Sequence, residues 1–234
     1  MITPLIVLLL TLSPAAGEAP DPTPFLALST PCPVEAEHCL GLALFLAVDG
    51  EGAPVRDPDW IREAITATNR LFGDVGLHFE LTAVTFLPPQ HEVVHSRADR
   101  DRLGHRRWRK GPVHWFVVGR LDNVDEDGEI YGVHWRDRKA THHRWVILSK
   151  ISWPFTLPHE LGHFFGLSHN AILGSIMNKA GNDHSRMSTR RFTETELPVL
   201  RKHLDKKIRK GELTDLKKSA EEDRSAPGKI GARE

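Results

Sequence analysis

Residues 159–169 read His-Glu-Leu-Gly-His-Phe-Phe-Gly-Leu-Ser-His, and three of the chain's 14 histidines lie in this stretch. His159 and His163 are four residues apart, so on a helix both imidazoles share one face and can hold one ion. Gly166 tolerates the left-handed backbone that ends a helix and turns the chain, which would bring His169 back toward them. Three neutral imidazoles suit zinc and leave one coordination position open.

Glu160 directly follows the first histidine, so its carboxylate would point beside the metal rather than at it. From there it can take a proton from water that the metal activates. The alternative is an ordinary buried helix, which would bury three histidines and a glutamate without partners at high cost. A bare His-Glu-x-x-His occurs by chance in on the order of 0.03 of chains this size, and Gly166 with His169 lowers this to about one in ten thousand.

These residues resemble the extended zinc motif of the metzincin peptidases. Gly174-Ser175-Ile176-Met177-Asn178 resembles their Met-turn, a tight turn whose methionine lies below the zinc site. The alternative for Met177 is a plain core methionine. Ile130-Tyr131-Gly132 and Val146-Ile147-Leu148-Ser149 are similar to pappalysin-like and matrixin-like members.

The resemblance implies an α/β (α+β) fold with a twisted, mixed five-stranded sheet, three main helices including the active-site helix, and the Met-turn. It also implies a zinc-dependent endopeptidase that acts on a protein or peptide. One catalytic zinc would be held by His159, His163 and His169, with Glu160 as general base and Gly166 and Met177 shaping the site. Two alternatives stay open: a secreted zinc-binding module without catalysis, which has no use for Glu160, and a zinc hydrolase of a non-protein substrate.

Apolar runs predict the strands of this sheet. Their expected positions are residues 41–48, 77–86, 113–118, 130–135 and 144–149. The first run is followed by the breaker cluster Asp49-Gly50-Glu51-Gly52. We therefore expect the catalytic domain to begin near residue 41.

Three helices are expected from capping residues and apolar spacing. The first has Asp57 as its cap and Pro58 at its first position, and the second spans residues 157–165. The third begins near Thr193 or Thr195 and carries a leucine stripe. The catalytic domain is thus predicted to cover residues 41–209, followed by a charged, apolar-poor mobile tail over residues 210–234.

The N-terminus reads as an export signal over residues 1–19, with a short apolar run followed by small residues. The alternative is a buried strand or the start of a helix. The run is too short to span a bilayer, so we expect a secreted protein, extracellular or periplasmic, without stable membrane insertion once the signal is removed. Residues 20–40 are proline-rich and are expected to be irregular. The sequence leaves the oligomeric state open.

Cys32 and Cys39 are the only cysteines. In an exported chain such a pair most simply forms a disulfide that closes the short loop between them. A second interpretation has one thiolate capping the zinc in a latent form, although the flanking residues do not match the switch motif of matrixins. Two free thiols are the third.

Charge patterning excludes a global attraction to nucleic acid, because Lys+Arg and Asp+Glu are both 31. The basic run Arg106-Arg107-Trp108-Arg109-Lys110 is interpreted as a solvated helix or loop, so no nucleic-acid partner is expected. Residues 123–128 resemble the start of a calcium loop, but His134 replaces the glutamate expected at its twelfth position. Calcium is therefore only weakly supported, and an acidic solvated turn is favoured.

Overall fold

A computed structural model describes residues 20–180, 183 and 185–225. Its centre is a sheet of five strands, and two shorter strands pair elsewhere. The seven strands are β1 (His38–Ala47), β2 (Leu77–Leu87), β3 (Val93–Val94), β4 (Val113–Val118), β5 (Arg120–Leu121), β6 (Gly132–Arg136) and β7 (Arg144–Ser149). The predicted export signal over residues 1–19 lies outside the described residues.

The main sheet has the order β2-β1-β4-β7-β6. Its first four strands pair in parallel, and β6 runs antiparallel to β7 at the edge. The predicted mixed five-stranded sheet is therefore confirmed, and the five runs predicted as strands are its members. The small pair β3–β5 was not predicted, since two-residue strands carry no detectable periodicity.

Six α-helices are described around the sheet. They are α1 (Thr23–Leu26), α2 (Pro58–Phe72), α3 (Arg97–His105), α4 (Thr156–Phe164), α5 (Leu197–Arg209) and α6 (Leu216–Ser225). The three predicted helices correspond to α2, α4 and α5. Within the segment predicted to be irregular, α1 forms one short turn.

The sheet is buried on both faces, which explains the nearly continuous apolar runs in its central strands. In β4, Trp115 and Val117 pack into the core that contains α2, α4 and α5 residues. Phe116 and Val118 alternate with them and face the opposite core, to which α3 contributes Leu103. Helix α4, which carries the histidine motif, thus lies on the same face as α2.

The start of α5 corrects the sequence prediction. The helix begins at Leu197 rather than near Thr193 or Thr195. The Glu196 carboxylate accepts hydrogen bonds from the Thr193 backbone N–H (2.7 Å) and hydroxyl (2.9 Å). This Thr-to-Glu spacing forms a turn before the helix instead of its first turn.

The segment predicted as a tail from residue 210 differs from that prediction. Leu213 is buried and α6 follows it. Buried Asp215 accepts hydrogen bonds from the Cys39 backbone N–H (3.0 Å) and pairs with His38 Nδ1 (2.7 Å). Lys217 Nζ donates to the Ala36 carbonyl at 2.5 Å. The reason for the difference is that Asp215 and Lys217 anchor this charged stretch to the start of β1 and to the residues just before it.

Two arginines, one in α3 and one in the basic run after it, make contacts inside the fold. Arg100 is buried, donates to the Asp122 carbonyl at 2.7 Å and lies over the Trp135 ring. Arg107 donates to the Leu103 carbonyl at 3.1 Å. Ser96 and Asp99 form a capping box at the helix start. Arg100 and Arg107 thus have structural roles, whereas Arg106 and Arg109 are exposed.

Both cysteines are free thiols in the structure. Burial raises the pKa of Cys39, and a hydrogen bond with the Cys32 side chain raises it further. The two side chains are thus already neighbours, and the disulfide stays a prediction for oxidised material. Neither sulfur belongs to the group of metal-ligating side chains found among the described residues. Over that part of the chain, no helix is long and apolar enough to cross a membrane.

His114 in β4 predicts a specific acid sensitivity. It is buried, its Nε2 accepts a hydrogen bond from the Arg109 N–H at 3.0 Å, and burial lowers its pKa to about 4. The unfolded chain takes up this proton near pH 6.5, so between pH 6.5 and 4 it binds more protons than the folded chain. The free energy of unfolding therefore falls as the pH falls through this window, by at most about 1.4 kcal/mol per pH unit.

The His114→Gln variant keeps a hydrogen-bond acceptor but does not titrate. Its free energy of unfolding, measured with urea from pH 7.5 to 4.5, is expected to depend less steeply on pH than that of the parent. Every other titrating group is shared by the two proteins. Parallel curves would show that His114 is not the sensitive group.

Candidate metal centre

Helix α4 carries the first two motif histidines and ends where the sequence predicted. The Leu167 N–H donates to the Gly162 carbonyl (2.9 Å) and the Gly166 N–H to the His163 carbonyl (3.0 Å). This is the Schellman arrangement, which places a positive φ at the residue after the helix. Gly166 has φ +92°, and an added Cβ there would lie 2.7 Å from the His203 ring. Only glycine fits this turn, which redirects the chain toward His169.

The three motif histidines converge. His169 Nε2 lies 3.2 Å from His159 Nε2 and 3.1 Å from His163 Nε2. Among the described residues they are the one group of three or more potential ligands whose donor atoms all lie within 4.8 Å of one another. Their Nε2 atoms therefore face a common point.

A hydrogen bond from the other ring nitrogen, Nδ1, fixes the orientation of two of these imidazoles. His159 Nδ1 lies 2.8 Å from the Ile176 carbonyl, and His163 Nδ1 lies 2.8 Å from the Leu167 carbonyl. A carbonyl only accepts, so each Nδ1 carries the proton and each Nε2 presents its lone pair. Burial lowers the pKa of all three imidazoles, that of His159 to about 4. Neutral, pre-oriented imidazoles are the form that binds zinc, so these residues fit that metal.

Glu160 directly follows His159 in α4 and is buried. Its Oε2 accepts a hydrogen bond from the His134 backbone N–H in β6 at 2.7 Å, which holds the carboxyl between α4 and the sheet edge. Burial raises the pKa of Glu160 to about 7, and the hydrogen bond from His134 opposes this shift. A carboxyl with such a pKa exchanges its proton near neutral pH, and a cation nearby would lower the value.

Met177 lies in the turn predicted to pass below the site. The residue is fully buried, and its sulfur lies 2.6 Å from where a Cβ on Gly162 would be. Gly162, within the motif, is therefore the position that lets this turn approach α4. The preceding carbonyl, of Ile176, is the partner of His159 Nδ1. The turn thus both packs under the helix and orients a ligand.

Glu196 organises this turn and was not identified from the sequence as a site residue. Its Oε1 accepts from Ser175 Oγ (2.8 Å) and Asn170 Nδ2 (2.6 Å), and its Oε2 accepts from Thr193. Because Glu196 lies 26 residues beyond Asn170, only the fold brings them together. One buried carboxylate therefore ties the loop after His169 to the start of α5.

The acidic turn over residues 123–128 does not assemble a comparable cluster within the described parts of the chain. Asp125 instead forms an ion pair with Arg97, and its N–H donates to Asn123 Oδ1 at 3.1 Å. Asp122 pairs with His95 and Arg120. These contacts agree with the solvated-turn interpretation of the segment.

Among known proteins, this chain is similar only to solved structures. No family model matches the chain, and no curated protein matches it. Archaemetzincin from Methanopyrus kandleri is similar over 74% of this chain and 99% of its own, at 16% identity and a TM-score of 0.49. Metalloproteinase-II from Bacteroides fragilis is similar over 73% of this chain and 55% of its own, at 16% identity and a TM-score of 0.49.

Mature mirolysin from Tannerella forsythia, in complex with a cleaved peptide, is similar over 74% of this chain and 97% of its own, at 10% identity and a TM-score of 0.49. At these values the likeness assigns no activity to this chain. At the site itself, the three histidines converge as the motif predicted, and buried Met177 packs against Gly162 in helix α4.

Proposed function

We propose that this protein is a zinc-dependent endopeptidase. The observation that carries the proposal is the convergence of three neutral imidazole Nε2 atoms, with a buried carboxyl, Glu160, adjacent to His159 in the same helix. A purely structural zinc site is closed by four ligands and has no use for a base. Three ligands with an adjacent carboxyl are typical of hydrolytic sites.

His159, His163 and His169 would hold the ion. Zinc, when bound, supplies Lewis acidity, which polarises a carbonyl group and makes water easier to deprotonate. Glu160 provides the base for that proton, and the His134 N–H keeps its carboxyl in place. The same carboxyl then returns the proton to the leaving amine, so one residue serves both transfers.

A peptide substrate is supported by the position of β6. It is the edge strand of the main sheet, and on its other side no strand pairs with it among the described residues. A free strand edge can bind an extended peptide through backbone hydrogen bonds. Because His134 in β6 contacts Glu160, a peptide on this edge would run past the proposed base.

Export is part of the proposal. Its support is the apolar run and the small residues within residues 1–19. An extracellular or periplasmic location would also allow the Cys32–Cys39 pair to oxidise.

The test is cleavage of a general protein substrate, such as casein, by purified protein with and without a chelator. We expect cleavage by the zinc-loaded protein, loss on chelation and recovery when zinc is restored. Identifying the new termini by mass spectrometry would show whether cuts are internal, as an endopeptidase requires. Zinc binding without cleavage of any protein would reject the proposal and favour a binding module or a hydrolase of another substrate.

A further inference from the structure

A concave basic surface lies beside the candidate metal centre. Its cavity, of about 280 Å³, is bordered by α5, by the ends of β6 and β7, and by the Gly166 turn. Five formal cations and one carboxylate line it: Arg136, Arg144, Lys206, Lys207, Lys210 and Glu212. The whole chain has a formal charge of +0, so this is a local concentration of positive charge.

Two features of the fold place like charges against each other here. Arg136 and Arg144 are direct cross-strand partners in the antiparallel β6–β7 pair. Lys206 and Lys210 are four residues apart on α5. Like charges at either spacing destabilise a sheet or a helix. Both repulsive pairs point into the same cavity, which indicates that an anion compensates them.

Carboxylates among the described residues supply only part of this compensation. Glu212 is already bound by Lys207, whose Nζ lies 3.1 Å away and also sits over the Phe164 ring. Arg136, Arg144, Lys206 and Lys210 have no ion pair and no side-chain hydrogen bond within the parts of the chain that the structure describes. Arg144 is half-buried. Burial and Arg136 lower its pKa, and the Glu212 carboxylate opposes this shift. Its guanidinium is thus held in the cavity wall with unused donors.

We propose that this cavity binds a phosphate-type oxyanion. A phosphate monoester carries about −1.5 to −2 charges near neutral pH in a compact group, whereas a carboxylate carries one. The planar forks of two adjacent arginines match the geometry of phosphate oxygens, and the lysines add point charges. Low-dielectric walls such as the Phe164 ring strengthen the electrostatic attraction between the phosphate and the cationic side chains. The anion is either free or carried on a peptide, and the same contacts serve both.

The experiment uses zinc-loaded protein and isothermal titration calorimetry at 150 mM salt. One arm titrates pyrophosphate, and the other a phosphoseryl peptide beside its glutamyl counterpart. We expect at least one phosphate probe to bind, with the phosphoseryl peptide preferred over the glutamyl peptide if the group is carried on a peptide. Arg144→Gln and Lys206→Gln should each weaken binding by about tenfold or more, as the loss of a charged hydrogen bond implies.

The matched control is Lys150→Gln, the same loss of charge on an exposed residue beyond the opposite end of β7. It should bind as the parent does. Lys206 and Lys210 are exposed on α5, so their variants should fold even where Arg144→Gln does not. The proposal is overturned if neither pyrophosphate nor the phosphoseryl peptide binds. It is also overturned if the glutamyl peptide binds as tightly as these two probes, or if phosphate binding survives Arg144→Gln and Lys206→Gln. The last result would locate the anion elsewhere, for example at the zinc.

Discussion

Glu160→Gln is expected to retain zinc and to lose hydrolysis by roughly 10²–10⁴-fold, the contribution typical of a positioned acid–base group. Glutamine is nearly isosteric, and its carbonyl can still accept the hydrogen bond that the His134 N–H now donates at 2.7 Å. It cannot accept a proton, so both proton transfers assigned to this position fail. Because the buried carboxyl has a pKa raised by burial, its neutral replacement should not destabilise the fold.

Zinc content and cleavage rate should be measured on the same preparations. Glu63→Gln, the same change on the exposed face of α2, serves as the control and should match the parent in both. The Glu160→Gln protein could instead hold zinc and cleave at a rate within about tenfold of the parent. That loss would be smaller than the expected range, and Glu160 would not be the base.

The double variant His163→Ala with His169→Ala is expected to lose zinc binding. Two of the three converging Nε2 atoms are removed, and one imidazole cannot hold the ion alone. We expect zinc affinity to fall by more than the roughly 10–100-fold seen for losses of supporting groups around a metal. Zinc at 100 times its dissociation constant stabilises a fold by about 2.7 kcal/mol, and the variant should lose this gain.

Elemental analysis and thermal unfolding with and without added zinc provide the measurement. The control pair is His95→Ala with His105→Ala, which removes two histidines outside the triad. It should bind zinc as the parent does. Undiminished zinc in the triad variant would place the metal elsewhere and remove the basis of the proposed function.

The main elements of the fold could be predicted because their signals are local. The apolar run that includes Trp115 and Phe116 has too few polar residues for any environment except a strand buried on both faces. Asp57 followed by Pro58 marks the start of α2 directly, and the Asp57 carboxylate indeed accepts from the Trp60 N–H. The order in which the strands pair was not predicted, since strand neighbours depend on contacts between distant residues.

The histidine triad could also be predicted, because one helix and one glycine turn place all three ligands. What could not be predicted depends on partners far apart in sequence. The His134 N–H that holds Glu160 is 26 residues away, and the link from Glu196 to Ser175 spans 21. The basic cavity joins two strand ends to α5, and its residues are likewise far apart in sequence. The tail prediction failed similarly, because Asp215 has no local sign of its partner 176 residues earlier.

The Asp215 anchor has a consequence for how the chain is made. Cys39 emerges early in synthesis, yet its N–H receives its partner only when residue 215 is available. Lys217 likewise reaches back to Val34 and Ala36. Contacts of such long sequence separation form late and slow folding. The hydrogen bonds at the start of β1 therefore cannot all form until residue 215 has left the ribosome.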